Sequence, residues 1–237
     1  MSETERRVRA GQLKFAWPGA PLLLDIDQFE LAAGERLFLR GPSGSGKSTL
    51  LGLISGVLTP QAGTISVCGE DMHQLSGTKR DQLRADRLGV IFQMFNLVPY
   101  LTVAQNVALP CRFSKRRAAQ VSDAGGIAQE AKRLLGRLGL DGQDLLNRPV
   151  TALSVGQQQR VAAARALIGS PEIVIADEPT SALDADSRDR FISLLIEEAS
   201  ASGASLLFVS HDAALSRHFD RALDLVEINL AAQKEAA

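Results

Sequence analysis

A glycine-rich segment of the sequence has the residue types and the spacing that bind phosphate. Gly41 and Gly46 flank four residues and are followed by Lys47 and Ser48. Glycines allow successive backbone N–H groups to turn toward an anion, and a following helix would add its positive N-terminal end. In such loops the lysine contacts the β- and γ-phosphates of a nucleotide, and the hydroxyl ligates Mg²⁺. The predicted phosphate-binding segment comprises Gly41, Pro42, Ser43, Gly44, Ser45, Gly46, Lys47, Ser48 and Thr49.

Two adjacent carboxylates stand far downstream of this segment. Asp177 and Glu178 directly follow the apolar run Ile-Val-Ile-Ala at residues 173–176, which predicts a buried strand. Ligands bind at the carboxyl ends of strands in parallel sheets. We therefore predict that Asp177 holds the Mg²⁺ and that Glu178 orients or deprotonates an attacking water. The alternative, that the two acids merely end a strand, is disfavoured by the phosphate-binding segment upstream.

Strands and helices alternate around these residues. Residues 36–40 are predicted to form the strand that enters the phosphate-binding segment, and residues 50–57 the helix that leaves it. This order of strand, glycine-rich turn and helix is the context that a phosphate-binding loop requires. Further strands are predicted at residues 13–17, 64–68, 88–92, 173–176, 205–210 and 223–228.

The middle of the chain has the pattern of helices. Thr102 with Gln105, and Ser154 with Gln157, have the spacing of capping boxes. These pairs predict one helix from about residue 103 and another from residue 154 to residue 168. Helices are also predicted at residues 129–139 and 187–199.

The order of these elements predicts an α/β fold in a single domain, residues 1–237. We expect a P-loop NTPase core with a mainly parallel sheet, formed by residues 1–94 and 171–237. Antiparallel β-strands are expected at the N-terminus. Residues 95–170 are predicted to form an inserted α-helical subdomain.

Composition and charge exclude several classes of protein. The 237 residues are 45% hydrophobic and 22% charged, with a formal net charge of −1. A net charge near zero lacks the basic excess on which non-specific nucleic-acid binding depends, so no nucleic-acid partner is expected. The apolar stretches are shorter than the roughly 18 residues that span a bilayer, and the first ten residues do not have the pattern expected of a signal peptide. We therefore expect a cytoplasmic chain whose membrane role comes through a partner.

Two sets of residues are given no chemical role. Wide spacing indicates reduced thiols rather than a metal site for Cys68 and Cys111. A basic cluster is interpreted as a solvated helix face, with contact to anionic lipid headgroups as the alternative; it comprises Arg112, Lys115, Arg116 and Arg117.

Residues 153–160, Leu-Ser-Val-Gly-Gln-Gln-Gln-Arg, resemble the signature segment of the ABC ATPase family, which other P-loop proteins do not share. Four further motifs follow the family's order. Trp17 resembles the aromatic residue that stacks on adenine, and Gln93 resembles the glutamine of the Q-loop. Ser-Ala-Leu-Asp at residues 181–184 resembles the D-loop, and His211 resembles the switch histidine. The resemblance extends from about residue 13 to residue 228.

This resemblance implies ATP as the substrate, Mg²⁺ as the cofactor and ATP hydrolysis as the activity. In the family, two such domains close head to tail over two ATP molecules. Ser154, Gly156 and Gln157 would then contact the γ-phosphate held by a second copy of the chain, and Asp184 would also contact nucleotide. Ser154 can also serve simply as the N-cap of its helix, and the two roles are compatible.

The same resemblance implies catalytic roles for Gln93 and His211, in addition to Lys47 and Glu178. Gln93 would touch Mg²⁺ or the attacking water. His211 would hydrogen-bond the γ-phosphate and orient water beside Glu178.

Two positions leave alternatives open. Trp17 can stack on adenine, or it can pack against the core on the side of Phe15. Val155 occupies a position where many family members have glycine. Because a β-branched residue is poorly suited to positive φ, the closed site must accept an ordinary backbone conformation there.

Residues 92–107 look like the corresponding segment of ATPases that release lipoproteins or export macrolides. Similar segments occur in cell-division and amino-acid-uptake ATPases. The resemblance implies a separate transmembrane permease as partner, with the chain peripheral on the cytoplasmic face of the inner membrane. Met94 and Phe95 would receive a short helix of the permease, or would pack in the core.

Three other functions can be compared with this one. A regulatory ATPase of the cell-division type, which signals through a membrane partner and moves no solute, is the alternative. A DNA-repair ATPase would carry a coiled-coil or zinc insertion, which residues 95–170 lack. A subunit without hydrolysis is disfavoured by the joint presence of Lys47, Asp177, Glu178 and His211.

Overall fold

Two β-sheets form the frame of the fold in the computed structural model, which describes residues 5–123, 125–142, 144–181 and 183–235. The antiparallel sheet contains β1 (Arg6–Ala16), β2 (Leu22–Ala32), β4 (Ala62–Val67) and β5 (Glu70–Asp71), in the order β2-β1-β4-β5. The parallel sheet contains β3 (Arg36–Arg40), β6 (Leu88–Ile91), β7 (Ile173–Asp177), β8 (Ser205–Val209) and β9 (Arg221–Asp224), in the order β6-β7-β8-β3-β9. This architecture confirms the predicted fold class.

The helices pack around these sheets. Helix α1 (Lys47–Ile54) follows β3, and α2 (Gly77–Arg87) precedes β6. Between β6 and β7 lie α3 (Val103–Phe113), α4 (Lys115–Asp123), α5 (Ile127–Arg137) and α6 (Val155–Leu167). Helix α7 (Ala185–Ala201) joins β7 to β8, and the short helices α8 (Leu225–Ile228) and α9 (Leu230–Glu235) follow β9. Across the residues that the structure describes, none of the helices has the length and apolar character to cross a membrane.

The parallel sheet separates two hydrophobic cores. Side chains of a strand point alternately to its two faces, so Phe38 packs into one core while Leu37 and Leu39 pack into the other. Strands β7 and β8 alternate in the same way. The core that contains Phe38 is completed by α3, α5, α6 and α7, whereas the second core is completed by α1 and the antiparallel sheet.

Both predicted capping boxes are present. The Thr102 hydroxyl accepts from the Gln105 N–H at 3.2 Å, and the Gln105 side chain accepts from the Thr102 N–H at 3.0 Å. Ser154 and Gln157 make the same two bonds at the start of α6. These reciprocal bonds satisfy N–H groups that have no partner within the helix, which explains why the helices begin at these positions.

The prediction for the C-terminal strand is wrong in its second half. Strand β9 ends at Asp224, and residues 225–228 are helical rather than extended. The Asp224 side chain accepts from the Val226 N–H at 3.0 Å, so it caps the helix where the strand was expected to continue. The helix predicted at residues 50–57 also differs, because it begins at Lys47 and ends at Ile54.

The interpretation of the basic cluster as one solvated helix face is also wrong. The cluster spans the end of α3 and the start of α4, and Arg117 is only 1% exposed. Its guanidinium donates to the carbonyls of Leu88 and Ala166 at 2.9 and 3.3 Å. Arg116 is half-exposed and forms an ion pair with Glu172 at 2.8 Å. Of the four, Arg112 and Lys115 are the exposed residues.

Candidate active site

The phosphate-binding segment joins the carboxyl end of β3 to the N-terminus of α1. Gly46 is the N-cap of α1, has a φ of 98° and makes no side-chain capping bond. A Cβ atom at this position would lie 2.6 Å from the side chain of Leu24, so glycine is required both by its φ and by the close approach of β2. The first N–H groups of α1 therefore open the helix without a side-chain cap, as an anion site requires.

Lys47 lies across the phosphate-binding segment. Its ammonium group donates to the carbonyl oxygens of Gly41 at 2.7 Å and Pro42 at 2.8 Å. These acceptors are neutral, so a phosphate anion that enters the segment would be a stronger partner for the same ammonium group.

Asp177 ends β7 and faces the start of α1. The Ser48 hydroxyl donates to Asp177 Oδ2 at 3.4 Å. Burial raises the pKa of Asp177, and the nearby charge of Glu178 adds to this increase, although the Ser48 bond and Lys47 oppose it. A partly buried carboxylate beside a hydroxyl group supplies the hard oxygen ligands that Mg²⁺ prefers, and a cation would relieve the cost of burying the charge. The arrangement fits the predicted metal site.

Glu178 is held in an unusual backbone conformation beside His211. Its φ is 46°, in the left-handed region, and its N–H donates to the carbonyl of Val209 on β8 at 3.0 Å. Glu178 Oε2 lies 2.7 Å from His211 Nδ1, within hydrogen-bond distance. The glutamate side chain is 14% exposed and the histidine 69%. Backbone strain of this kind is concentrated at functional sites, and here it directs a carboxylate into the cleft.

Most of the predicted phosphate-binding, metal-binding and catalytic residues line a common cleft of about 440 Å³. It is bounded by Ser43, Gly44 and Gly46 to Thr49 of the phosphate-binding segment, and by Gln93, Asp177, Glu178 and His211. Ser181 also lines it. Leu23 of β2 is a lining residue that the sequence did not indicate, because β2 itself was not predicted.

Trp17 lies at a neighbouring cavity of about 420 Å³, which it shares with Pro42, Ser43 and Ser45. Trp17 is 47% exposed, and its ring makes an edge-to-face contact with Phe15, with centroids 5.1 Å apart. Trp17 thus packs against Phe15 and still presents surface next to the phosphate-binding segment. Ser45 Oγ is buried and has no hydrogen-bond partner in the described part of the chain.

The signature residues are placed elsewhere. Ser154, Gly156 and Gln157 form the start of α6, and none of them is among the described residues that line the cleft. Val155 is 50% exposed and does not have a positive φ, as expected for a residue other than glycine there.

Asp184 caps α7 by accepting from the Ser187 N–H at 2.9 Å, and this bond lowers its pKa. It is exposed and, within the described chain, does not line the cleft. Ala182, in the predicted D-loop, lies outside the described residues.

A parallel sheet that carries a glycine-rich segment, a strand-end carboxylate and an open helix N-terminus defines a P-loop nucleotide-binding protein. Comparison with known proteins narrows this class. The family model described as ABC transporter matches residues 24–181. The chain belongs to the ABC transporter family, as one of its ATP-binding cassettes.

Its similarity to individual relatives is extensive. It is 42% identical over 199 residues to the lipoprotein-releasing system ATP-binding protein LolD 1 of Caulobacter vibrioides, covering 82% of this chain and 80% of that protein. It is 43% identical over 192 residues to LolD of Shewanella frigidimarina, covering 81% and 77%. Among solved structures, the dimeric, post-hydrolysis ATP-binding cassette MJ0796 bound to ADP and Pi has a TM-score of 0.80 and 32% identity, covering 92% of this chain and 93% of that chain.

Proposed function

We propose that this chain is the ATP-hydrolysing subunit of an ABC transport system and drives a separate transmembrane permease. The convergence of Ser48, Asp177, Glu178 and His211 on one cleft beside Lys47 supports this proposal most directly. A protein that only bound nucleotide would need the phosphate-binding segment but not a strained carboxylate paired with a histidine.

The residues of the cleft divide the chemistry between them. Lys47 and the open N-terminus of α1 bind the phosphates of ATP. Ser48 and Asp177 hold Mg²⁺, with Gln93 as a further ligand, and the bound ion supplies positive charge next to the phosphate oxygens. Glu178 accepts the proton of the attacking water or orients that water. His211 holds Glu178 in place through Nδ1 and lines the same cleft, where it would hydrogen-bond the γ-phosphate.

We propose that the active unit is a head-to-tail homodimer. At the start of α6, Ser154 is exposed and Gly156 and Gln157 are partly exposed, and none of the three lines the cleft of its own chain, so they are available to a second copy. The dimeric form of the related cassette MJ0796 supports this arrangement. The dimer would complete each site with a helix N-terminus from the opposite protomer, an additional anion-binding group. Asp184, at the start of α7, would lie at the same dimer interface.

The chain is proposed to consist of a nucleotide-binding core, residues 1–94 and 171–237, and a helical subdomain, residues 95–170. A groove of about 310 Å³ lies between them and is lined in part by Phe92, Asn96, Pro110 and Phe113. Between Phe92 and Asn96 in sequence, Met94 is 81% exposed, whereas Phe95 is 9% exposed and packs in the core. We propose that a short helix of the permease binds this groove, because exposed apolar side chains at a concave surface indicate a protein partner.

The similarity to LolD proteins supports a system that releases lipoproteins or exports a related lipid-linked substrate. The chain would then act as a peripheral subunit on the cytoplasmic face of the inner membrane. Permease binding, rather than a membrane-spanning segment of the chain itself, would hold it there.

Two measurements test the proposal. The purified chain should release phosphate from ATP with Mg²⁺, and Lys47→Ala should reduce this rate by about 10²-fold or more. A transmembrane protein extracted in detergent should co-purify with the parent chain. The same protein should not co-purify with the Phe113→Glu variant. The control is Val57→Glu, because Val57 is 66% exposed and Phe113 68%, but only Phe113 lines the groove. Partner binding that survives Phe113→Glu would contradict the docking site.

A further inference from the structure

Arg165, in the last turn of α6, contacts the backbone that follows Gln93. Its Nη1 donates to the Asn96 carbonyl at 2.7 Å, and its Nη2 donates to the Phe95 carbonyl at 2.5 Å. Both acceptors lie within three residues of Gln93, which lines the nucleotide cleft. One guanidinium group therefore binds two successive peptide carbonyls across 69 and 70 residues of sequence.

The segment held by Arg165 has a strained backbone. Phe95 and Asn96 have φ values of 58° and 47°, so two successive residues adopt the left-handed region. Asparagine tolerates this region, but a bulky residue such as phenylalanine adopts it rarely. Conformations of this kind persist only when the surroundings impose them. The paired bonds from Arg165 supply that constraint on both strained residues.

The arginine itself is costly to bury. Arg165 is 9% exposed, and burial lowers its pKa because desolvation disfavours the charged form. Its hydrogen bonds within the described chain go to backbone carbonyl oxygens and not to a carboxylate. A buried apolar side chain would stabilise the fold at less cost. The planar fork of arginine is what the two adjacent carbonyls require, because lysine cannot bind both with the same fixed geometry.

We propose that Arg165 is a positioning residue that makes the Gln93 segment move together with the signature helix. This inference rests on the proposed function, in which Ser154 at the start of α6 meets the opposite nucleotide. A helix rises about 1.5 Å per residue, so α6 is a rigid rod of roughly 16 Å from Ser154 to Arg165. Displacement of its N-terminus by dimer closure displaces the Phe95 and Asn96 carbonyls at its other end. Gln93 is thereby brought to or withdrawn from its own cleft.

Arg117 provides a matched control. It is also a buried arginine that donates to two carbonyls, those of Leu88 and Ala166. Burial lowers its pKa to about 10. Its bonds do not involve the segment that follows Gln93. Because Arg117 also joins α6 to β6, a variant at Arg117 reports the cost of losing a buried arginine at this junction, and a variant at Arg165 reports that cost together with the loss of the bonds to Phe95 and Asn96.

The test is a double-mutant cycle between Arg165→Lys and Gln93→Ala in the full chain, measured as kcat for ATP hydrolysis and as Kd for ATP. Arg165→Lys should lower kcat by about 10-fold through misplacement of Gln93, and should leave the Kd for ATP within about 2-fold. In the Gln93→Ala background, the same change should lower kcat no further, because its target is gone. Arg117→Lys should lower Tm to a similar extent as Arg165→Lys and keep kcat within about 2-fold of the parent.

Each contrary result has a separate meaning. If Gln93→Ala keeps the parental kcat, the proposed role of Gln93 is wrong and this inference fails with it. If Gln93→Ala is impaired but Arg165→Lys lowers kcat equally in both backgrounds, the inference alone fails. If Arg165→Lys does not fold, Arg165→Gln takes its place in the cycle, because its amide removes the buried charge and still donates to one carbonyl.

Discussion

The Nδ1 atom of His211 lies 2.7 Å from Oε2 of Glu178, although 33 residues separate them in sequence. Parallel pairing of β7 with β8 creates this contact. Asp177 pairs with Val209, so both strands end at the same edge of the sheet. Glu178 follows one strand end, and His211 follows the other after a single intervening residue. The histidine thereby limits the orientations open to the carboxylate that we propose as the base.

Replacement of this base should separate ATP binding from hydrolysis. Glu178→Gln keeps the shape of the side chain but cannot accept a proton, so turnover should fall by about 10²–10³-fold while ATP binding persists. Head-to-tail dimers with bound ATP should then accumulate, as measured by light scattering after gel filtration. Hydrolysis of ATP by Glu178→Gln at the parental rate would show that another group is the base.

Mixing two inactive variants tests whether each active site is shared between protomers. A Lys47→Ala homodimer lacks functional phosphate-binding segments, and a Ser154→Arg homodimer lacks functional signature helices. A heterodimer of the two has one doubly damaged site and one intact site. A statistical mixture should therefore recover at most about one quarter of the parental rate, if the two sites act independently. Recovery of the full parental rate would contradict the head-to-tail arrangement.

Asp177 should reduce the stability of the nucleotide-free chain at neutral pH. Its pKa is raised by burial, so folding favours the protonated form. The contribution of Asp177 to the free energy of unfolding becomes less favourable as pH rises from its pKa in the unfolded chain, about 3.9, through its raised pKa in the folded chain. Asp177→Asn should raise Tm without ligand and reduce the further increase in Tm caused by Mg²⁺ and ATP.

Asp220→Asn is the control for this prediction, because the hydrogen bond from Arg36 lowers the pKa of Asp220. The ionised form of Asp220 stabilises the fold at neutral pH, and this stability is lost as pH falls through the folded pKa. Asp220→Asn should therefore lower Tm. A decrease in Tm for both variants in the absence of ligand would refute the predicted effect of Asp177.

Cys68 should react slowly in the folded chain. Burial, together with the nearby charge of Glu172, raises the pKa of its thiol to about 12. Because the thiolate is the reacting form, alkylation by iodoacetamide at pH 8 should be about 10³-fold slower than in the unfolded chain, where the pKa is about 8.5. Peptide mass spectrometry with and without urea measures both rates. Equal rates in the two states would contradict the raised pKa.

Local chemistry determines how much of this structure the sequence predicts. The strand–turn–helix order around residues 41–49, the capping boxes and β7 each depend on residues close together in the chain, and these structural elements were predicted correctly. Helix α2 was missed because Leu83 is its only fully buried residue, so it has little apolar periodicity. Arg117 was assigned to the surface because its carbonyl partners, on Leu88 and Ala166, are brought to it only by the tertiary fold.

The candidate active site is likewise predictable only where the sequence carries a local signal. Individual candidate site residues were predicted from their motifs, and the convergence of Gln93, Asp177 and His211 on one cleft follows from strand order. The role we propose for Arg165 has no local signal, because its acceptors are backbone carbonyls that any sequence could supply. Residues that act through the backbone of a distant segment require coordinates to be found.

The position of β3 in the sheet has a consequence for biosynthesis. Strand β3, which leads into the phosphate-binding segment, pairs only with β8 and β9 within the described chain. Those strands are translated long after residue 40, and at about 5–20 residues per second the delay is roughly 10–40 s. During this interval a nascent chain has the sequence of the phosphate-binding segment without the sheet that positions it. The phosphate-binding segment therefore cannot take its folded position in the sheet until β8 and β9 have been synthesised.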